Sequence, residues 1–354
     1  MEIKIIRNEH PSTPIADEST LGFGVNFTDH MFLMDYTAEK GWHDARIVPY
    51  GPISMMPSCS VLHYGCEIFE GLKAYRLPDG SVQTFRMKDN IRRMNDSAER
   101  LCLPQLDVED AAQAINELIK IDERFVPHTP GTSLYIRPFT LGMDKNLGVH
   151  GCKTALFCVI LSPSGSYYKE GINPVRIMIE TEDVRTVRGG TGYAKCGGNY
   201  AASLRAGEKA EKKGYTQVLW LDGVERKYIE EVGSMNVMFK IAGKIVTPAL
   251  TGSVLPGITR RSCVQMLKDK GYEVEERLLS IDELEAAAKS GTLEEAWGTG
   301  TAAVVSPIGE LCVNDEIFEI GGGKIGQVTQ MLYDELTGIQ YGRCPDPYGW
   351  TAKV

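Results

Sequence analysis

The sequence of 354 residues lacks any long apolar run. The longest covers residues 155–161 and is far too short to span a bilayer. The first residues, Met-Glu-Ile-Lys-Ile-Ile-Arg, lack the apolar core of a signal peptide, and no repeat or low-complexity tract follows. These absences predict a soluble, cytoplasmic protein that has no membrane partner.

Basic residues are fewer than acidic ones. The chain has 38 Lys and Arg against 47 Asp and Glu, so its formal net charge is -9. Such a chain repels phosphate backbones, which argues against nucleic acid as a general partner. The nine cysteines form no Cys-x-x-Cys pair and no regular spacing, which predicts reduced thiols and no metal site. Any anionic ligand must therefore be held by local cations.

What is present is an ordinary globular composition, with 43% hydrophobic and 24% charged residues. The length favours two domains. Turn-forming residues at 162–166 predict the boundary, which gives domains of residues 1–165 and 166–354. Short strands and helices are mixed irregularly in both halves. This pattern predicts an α+β fold rather than a doubly wound sheet.

Apolar periodicity and turn residues predict the individual elements. Residues 1–20 are polar and are expected to form an arm over the surface. Helices are expected at about residues 89–101, 108–121, 200–213, 260–270, 280–289 and 325–336, and strands at 45–48, 60–64, 81–85, 133–141, 155–161, 175–180, 217–221 and in a hairpin over 237–246.

The segment Thr-Gly-Tyr-Ala-Lys-Cys-Gly-Gly-Asn-Tyr at 191–200 places Lys195 among glycines and aromatic residues. A lysine withdrawn from water has a lowered pKa and becomes a nucleophilic amine that can form a Schiff base. The neighbouring glycines would let a flat ligand approach the backbone. The alternative is a loop lysine exposed to solvent. The segment alone leaves both interpretations open.

Two loops of small residues suit a phosphate group. Residues 298–303, Gly-Thr-Gly-Thr-Ala-Ala, fit a dinucleotide fingerprint, but residues 302–307 favour a strand where that fingerprint needs a helix. NAD binding is therefore disfavoured. Residues 256–259, Pro-Gly-Ile-Thr, directly precede a predicted helix, whose N-terminus is a natural anion site. Together the loops predict one small phosphorylated ligand.

Charged residues also interrupt two apolar strands. Glu230 and Glu231 would be costly in such a strand unless they are paired, or they lie on a strand edge that faces solvent. Strand alternation places Tyr135 and Arg137 on one face, where together they can grip a carboxylate.

Four ordered motifs now resemble a known family: Lys195-Cys-Gly-Gly-Asn-Tyr200, Glu231-Val-Gly-Ser-Met-Asn, Pro256-Gly-Ile-Thr-Arg260 and Gly298-Thr-Gly-Thr-Ala. They resemble branched-chain amino acid aminotransferases, which are class IV, fold type IV pyridoxal-phosphate enzymes. The resemblance covers nearly the whole chain, from Phe23-Gly24 to residues 339–342.

The resemblance implies two α/β domains with pyridoxal 5'-phosphate at their interface, the larger C-terminal one carrying the lysine. It implies a ping-pong transfer of amino groups between Leu, Ile or Val and 2-oxoglutarate, and a homodimer. Amino-acid biosynthesis and breakdown both remain open.

Residue roles follow from the same motifs. Lys195 would form the Schiff base and move the proton. Glu231 would pair with the pyridine nitrogen and Tyr200 with the ring oxygen. Arg93, Ile258, Thr259 and Thr301 would bind the cofactor phosphate. The substrate pocket would be lined by Phe23, Tyr64, Phe69, Tyr135, Arg137, Ser234 and Ala302, with Val149 reaching the neighbouring subunit's site.

Two departures from the family pattern stand out. Ala303 and Ser306 occupy the positions of a Cys-x-x-Cys redox pair found in some mammalian members, so no thiol switch is expected there. Ser234 stands where relatives often have threonine. The rival interpretations are a D-amino acid aminotransferase or aminodeoxychorismate lyase of the same fold, a non-catalytic vitamin-phosphate binder and an NAD-dependent oxidoreductase.

Overall fold

The computed structural model describes residues 1–165, 172–313 and 316–354. The chain divides into two compact units. The first comprises Met1–Lys169, Ala194–Gly197 and Gly338–Val354, and the second comprises Glu170–Tyr193 and Gly198–Thr337. The sequence prediction ended the first domain at residue 165, and residue 166, where the second was to begin, lies outside the described residues. The short segment that carries Lys195 groups with the first unit.

The helices and strands are numbered along the chain. The helices are α1 (Ser60–Tyr64), α2 (Met87–Arg100), α3 (Val108–Ile121), α4 (Gly197–Ala201), α5 (Leu204–Lys212), α6 (Ile258–Asp269), α7 (Ile281–Ser290) and α8 (Gln327–Gln340). The strands are β1 (Lys4–Ile5), β2 (His30–Thr37), β3 (Gly41–Pro49), β4 (Glu67–Phe69), β5 (Leu72–Arg76), β6 (Val82–Phe85), β7 (Ser133–Gly142), β8 (Thr154–Ser164), β9 (Val175–Glu180), β10 (Gln217–Leu221), β11 (Ile229–Val232), β12 (Asn236–Ile241), β13 (Lys244–Pro248), β14 (Val274–Arg277), β15 (Leu293–Gly300), β16 (Val304–Val313), β17 (Glu316–Glu319) and β18 (Thr351–Lys353).

The first unit is built on one nine-stranded sheet in the order β1-β3-β2-β8-β7-β5-β6-β18, with β4 also pairing with β7. Only β1 and β3 pair in parallel within the described sheet. The apolar stripe of α2, with Ile91, Met94 and Ala98, and that of α3 share one buried core with the sheet. This packing buries the face of each helix that its 3.6-residue period makes apolar.

The second unit contains a mixed nine-stranded sheet in the order β11-β10-β9-β16-β15-β12-β13-β14, with β17 on β16. Strands β9, β10 and β16 pair in parallel, as do β13 and β14. Ala206 and Ala210 of α5 pack against Val218 and Trp220 of β10. Both units therefore combine helices with sheets, and the predicted α+β fold is confirmed. No helix in the described part of the chain is both long and apolar enough to cross a membrane.

Most local predictions are confirmed. Helices α2, α3, α6 and α7 lie where the periodicity placed them, and β12 and β13 form the predicted hairpin. The Ser280 hydroxyl accepts a hydrogen bond from the Glu283 N–H at 3.1 Å, as the capping box requires. Gly291, at φ +74°, then ends α7 in the left-handed conformation that glycine favours.

Three local predictions are wrong. Residues 60–64 form the helix α1 instead of a strand, because the Ser60 hydroxyl and N–H donate to the Gly142 and Asp144 carbonyls at its start. Gly65, in a left-handed conformation, ends the helix by donating to the Val61 carbonyl. Residues 162–164 continue β8 instead of forming a turn, since they pair in register with β7. The helix predicted at 200–213 is interrupted between α4 and α5.

Candidate active site

Lys195 is half-buried in the first unit, and its backbone is held on both sides. Its N–H donates to the Ser97 hydroxyl at 2.8 Å, and its carbonyl accepts from the Phe69 N–H at 3.0 Å. The next side chain, Cys196, belongs to the buried core. The segment that carries Lys195 is therefore held by hydrogen bonds to α2 and β4. The interpretation of Lys195 as a loop lysine exposed to solvent is wrong.

The surroundings of Lys195 favour its neutral amine. The pKa of Lys195 is lowered from 10.5 to about 8, chiefly by burial and also by the charges of Arg93 and Arg137, while Glu70 and Tyr135 act in the opposite direction. The amine nitrogen lies 4.7 Å from the centre of the Phe69 ring. A lysine in this state can act as a nucleophile or a base near neutral pH.

Arg93, on α2, is paired with a carboxylate that the sequence analysis did not single out. Its Nε and Nη2 donate to the two oxygens of Glu70, each at 2.8 Å, and both side chains are buried. This bidentate geometry fixes the plane of the guanidinium. The only signal in the sequence was the position of Glu70 beside Phe69, in a motif already considered for the substrate pocket.

Tyr135 and Arg137 do share one face of β7. Arg137 Nη2 donates to the Tyr135 hydroxyl at 2.9 Å, and its guanidinium lies 4.7 Å from the centre of the Phe69 ring. The Phe23 ring meets the Tyr135 ring edge-on, with centroids 4.9 Å apart. A Cβ on Gly71 would overlap the Tyr135 hydroxyl, so glycine is needed there. The group combines a cation with aromatic walls, which suits an amino acid that has an apolar side chain.

Tyr64 and Val149 lie on the surface of the first unit. The Tyr64 hydroxyl donates to the Leu147 carbonyl, which ties α1 to the loop that carries Val149. Val149 is 82% exposed and Tyr64 is 42% exposed. Apolar side chains this exposed suit a surface that another chain covers.

Glu231, on β11, is an ion-paired carboxylate in the second unit, where it is only 2% exposed. Its Oε1 accepts from the Leu255 N–H at 2.7 Å and lies 3.3 Å from Arg185 Nη2. Arg185 is also buried, and it donates to the carbonyls of Gly192 and Ser253. These partners stabilise a charged Glu231. No pattern in the sequence had indicated Arg185.

The neighbouring Glu230 is buried differently. One of its oxygens accepts from the Ser253 hydroxyl, and the other has no hydrogen-bond partner among the residues described. Burial raises the pKa of Glu230, although the Ser253 bond and Arg185 lower it. Both glutamates are buried, so the interpretation of a strand edge that faces solvent is wrong.

The two small-residue loops lie in the second unit. Helix α6 begins at Ile258. The residue before it is Gly257, which has no side chain that could accept from the first N–H groups of the helix. A Cβ on Gly257 would overlap the Asn236 amide oxygen, so the turn packs closely at this point. The Thr299 hydroxyl is buried, and the described residues offer it no hydrogen-bond partner. An uncapped helix N-terminus and an unsatisfied hydroxyl both fit a phosphorylated ligand.

The remaining predicted residues also lie in the second unit. Thr301 and Ala302 are in the turn between β15 and β16, so a strand and not a helix follows the loop, against NAD binding. Tyr200 is half-buried on α4, Ser234 is exposed in the turn after β11, and Thr259 is buried at the start of α6.

The fold and these side chains are typical of one class of enzyme, and comparison with known proteins identifies that class. The model of the family "Amino-transferase class IV" matches residues 67–311. This match covers more than half of the chain, and the chain belongs to that family.

Individual relatives are more specific. The chain is 54% identical over 356 aligned residues to "Branched-chain-amino-acid aminotransferase 2" of Bacillus subtilis, covering 100% of this chain and 98% of the relative. It is 51% identical to "Branched-chain-amino-acid transaminase 1" of the same organism, covering 96% and 95%. Among solved structures, the Escherichia coli branched-chain amino acid aminotransferase superposes with a TM-score of 0.76 at 26% identity, covering 91% of this chain and 98% of the other. The T.th. branched-chain amino acid aminotransferase with pyridoxamine 5'-phosphate gives a TM-score of 0.77 at 29% identity, covering 92% and 99%.

Proposed function

We propose that this chain is an aminotransferase that moves amino groups between the branched-chain L-amino acids Leu, Ile and Val and 2-oxoglutarate in a ping-pong reaction with pyridoxal 5'-phosphate. The observation that carries the proposal is the 54% identity, along the whole chain, to a protein named for that activity. The half-buried lysine and the uncapped helix N-terminus support the cofactor assignment independently.

When bound, pyridoxal 5'-phosphate supplies a sink for the electrons released at the substrate Cα. Lys195 would attach to this cofactor and would exchange the proton at that carbon. Its pKa of about 8 means that about a tenth of the amine is neutral at pH 7 and can accept a proton, far more than in an ordinary lysine. The hydrogen bonds to Ser97 and Phe69 hold the backbone of Lys195 in place, which limits the region that its amine can reach.

Glu231 would pair with the pyridine nitrogen of the cofactor and keep it protonated. An anionic carboxylate is needed for this, and Arg185 at 3.3 Å together with the Leu255 N–H keeps Glu231 charged although it is buried. Arg185 is thus a positioning residue that acts through Glu231.

Other residues are proposed to bind the phosphate and the ring oxygen of the cofactor. Arg93 supplies a positive charge whose plane Glu70 fixes. In the second unit, the N–H groups of Ile258 and Thr259 at the start of α6 and the Thr301 hydroxyl would bind the phosphate. Tyr200 would donate a hydrogen bond to the ring oxygen.

The substrate site has an apolar and a polar side. Phe23, Phe69 and Tyr135 supply aromatic contact for a branched side chain, and Arg137 with the Tyr135 hydroxyl binds a carboxylate. Tyr64, Ser234, Ala302 and Val149 complete the pocket, and Val149 enters it from a second subunit. The protein is therefore proposed to work as a homodimer, for which the exposed Val149 gives support. Its cytoplasmic location stays a prediction from the sequence.

Steady-state rates with leucine, isoleucine, valine, phenylalanine and D-alanine, each with 2-oxoglutarate, test the proposed substrates. We expect the three branched-chain amino acids to react fastest. A preference for D-alanine would instead assign the chain the activity of a D-amino acid aminotransferase.

Variants test the chemistry. We expect Lys195→Ala to lower kcat by at least about 100-fold, because the proton-transfer group is lost. Glu231→Gln should lower it by about 100-fold while the fold is kept. Glu230→Gln is the matched control: it makes the same change at the neighbouring buried carboxylate, which has no role in the proposed cofactor site, and should leave kcat nearly unchanged. Full turnover in Lys195→Ala would refute the assignment.

A further inference from the structure

Glu67, on β4, is a carboxylate in the group around Lys195 to which the proposed reaction assigns no role. Its Oε1 accepts a hydrogen bond from the Gly197 N–H, two residues beyond Lys195. A Cβ on Gly197 would overlap the same carboxylate oxygen, so glycine is needed there. Further along β4, the Phe69 N–H donates to the Lys195 carbonyl at 3.0 Å. Glu67 is therefore fixed beside the segment that carries the reactive lysine.

Glu67 lies on the same face of the sheet as Arg137. Strands β4 and β7 are antiparallel neighbours, with Phe69 opposite Phe139. Because side chains alternate along a strand, Glu67 and Phe69 share one face of β4. Phe139 and Arg137 are two residues apart on β7, so they lie on that face too. The Arg137 guanidinium lies 4.7 Å from the centre of the Phe69 ring, which places Glu67 and Arg137 around one aromatic side chain.

The charges of Glu67 and Arg137 act on one another. The pKa of the Glu67 carboxyl is raised, chiefly by burial, although the Gly197 N–H and the charge of Arg137 lower it. Both of these partners favour the anion. Arg137 donates to the Tyr135 hydroxyl at 2.9 Å and belongs to no ion pair of the described residues. Its charge is therefore available to a substrate carboxylate, with the charge of Glu67 nearby.

The two oxo acids of the proposed reaction differ in what they bring to this place. Both carry an α-carboxylate, but only 2-oxoglutarate has a second carboxylate where the other has a branched hydrocarbon. Arg137 attracts that second carboxylate and an ionised Glu67 repels it. The other acid of the group, Glu70, is held in its bidentate pair with Arg93, so its charge is compensated. The repulsion therefore comes from Glu67.

We propose that Glu67 is a specificity-determining residue, whose negative charge weakens the attraction of Arg137 for the second carboxylate of 2-oxoglutarate. This role rests on the proposed function. An arginine in a partly buried site binds a carboxylate strongly, and a nearby acid limits that advantage of the dicarboxylate. Branched-chain substrates have no second carboxylate and are not repelled. One pocket can then exchange both kinds of substrate.

Rates of the pyridoxamine 5'-phosphate form of the enzyme with 2-oxoglutarate and with 4-methyl-2-oxopentanoate test this role at pH 8, where an ordinary carboxyl is ionised. The ratio of the two kcat/KM values cancels any effect on the groups that the substrates share. Glu67→Gln keeps the size of the side chain and an oxygen that can accept from Gly197, but removes the charge. We expect it to shift the ratio about fivefold towards 2-oxoglutarate, mainly through a lower KM.

The matched control is Glu109→Gln, which removes one negative charge from a carboxylate that is 72% exposed on α3 and should leave the ratio unchanged. A ratio in Glu67→Gln equal to that of the unmodified protein, with circular dichroism showing a folded chain, would overturn the proposal. Equal losses with both oxo acids would also overturn it, since Glu67 would then only hold Gly197.

Glu67→Ala, which removes both the charge and the acceptor, is the second variant. It should shift the ratio in the same direction, and an unchanged ratio in this variant would likewise count against the role of the charge. If the unmodified protein converts neither oxo acid, the proposed function fails instead. The two failures are therefore distinguishable.

Discussion

At the scale of single residues, two buried arginine–carboxylate pairs support the proposed chemistry. Arg93 pairs with Glu70 in the first unit, and Arg185 pairs with Glu231 in the second. A buried ion pair is a modest contributor to net stability, but removing one member leaves an uncompensated charge, which is costly. The pairs therefore hold their side chains in one ionisation state and one orientation.

The Glu70 pair leads to a stability prediction. Glu70→Gln should lower the free energy of unfolding by about 3 to 5 kcal/mol, because Arg93 would remain buried without its anionic partner. Urea denaturation measures this change. The control is Glu123→Gln, which removes the half-exposed partner of Arg76 and should cost less than about 1 kcal/mol. Similar losses in the two variants would contradict the special position of Glu70.

Lys73 leads to a prediction on pH. Burial lowers its pKa from 10.5 to about 8, so between these values the unfolded chain binds a proton that the folded chain does not. Charging Lys73 therefore opposes folding, and its contribution to stability improves as pH rises from 8 towards 10.5. The advantage of Lys73→Met over the unmodified protein should shrink by about 2 kcal/mol between pH 8 and pH 10.

Denaturation curves at the two pH values measure this difference. The comparison between variants is needed because burial also raises the pKa of Cys158 and Cys263 to about 12, and these thiols reduce stability above pH 9 in both proteins. Lys212→Met, at a lysine that is 77% exposed, should differ from the unmodified protein by the same amount at both pH values. An advantage of Lys73→Met that does not change with pH would argue against a buried, neutral lysine.

At the scale of elements, the start of α6 is the feature most open to test. Gly257→Ala should weaken binding of pyridoxal 5'-phosphate about tenfold, or about 1.4 kcal/mol, because the added Cβ overlaps Asn236 and shifts the first N–H groups of the helix. Absorbance titration of the apoprotein with the cofactor measures the affinity.

Gly207→Ala is the matched control for this element. It adds the same methyl group inside α5, where no atom other than those of the neighbouring helix backbone lies within 4 Å of the new Cβ. Its cofactor affinity should stay unchanged. If Gly257→Ala and the unmodified protein bind pyridoxal 5'-phosphate with equal affinity, the start of α6 is not part of the phosphate site.

At the scale of the whole molecule, the proposed homodimer predicts complementation between two defective variants. Lys195→Ala and Val149→Asp should each be poorly active alone. When they are mixed and allowed to exchange subunits, about one quarter of the normal activity should return, since half of the dimers are mixed and each has one intact site. Analytical ultracentrifugation checks that dimers form. No recovery in exchanged dimers would place Val149 outside the neighbouring subunit's site.

The sequence was most informative where structure depends on neighbours in the chain. The apolar stripe of α2 and the capping box of α7 are local patterns, and both elements formed as predicted. Residues 60–64 are too few for a period to be recognised, and contacts with the rest of the unit made them helical. Ser162 and Pro163 have turn propensity, but pairing with β7 overrode it.

For the site, the sequence by itself determined the chemical groups: Lys195, Arg93, Glu231, Tyr135 and Arg137 stand in motifs of ordered residues. Only the tertiary structure decided their partners and their ionisation. Glu70 lies 23 positions from Arg93, and Arg185 lies in the connection between β9 and α4, whereas Glu231 lies on β11. Burial, which depends on how distant segments pack, lowers the pKa of Lys195 and makes Glu231 need a cation. Spacing along a chain cannot show which charges are removed from water together, and that removal sets their chemistry.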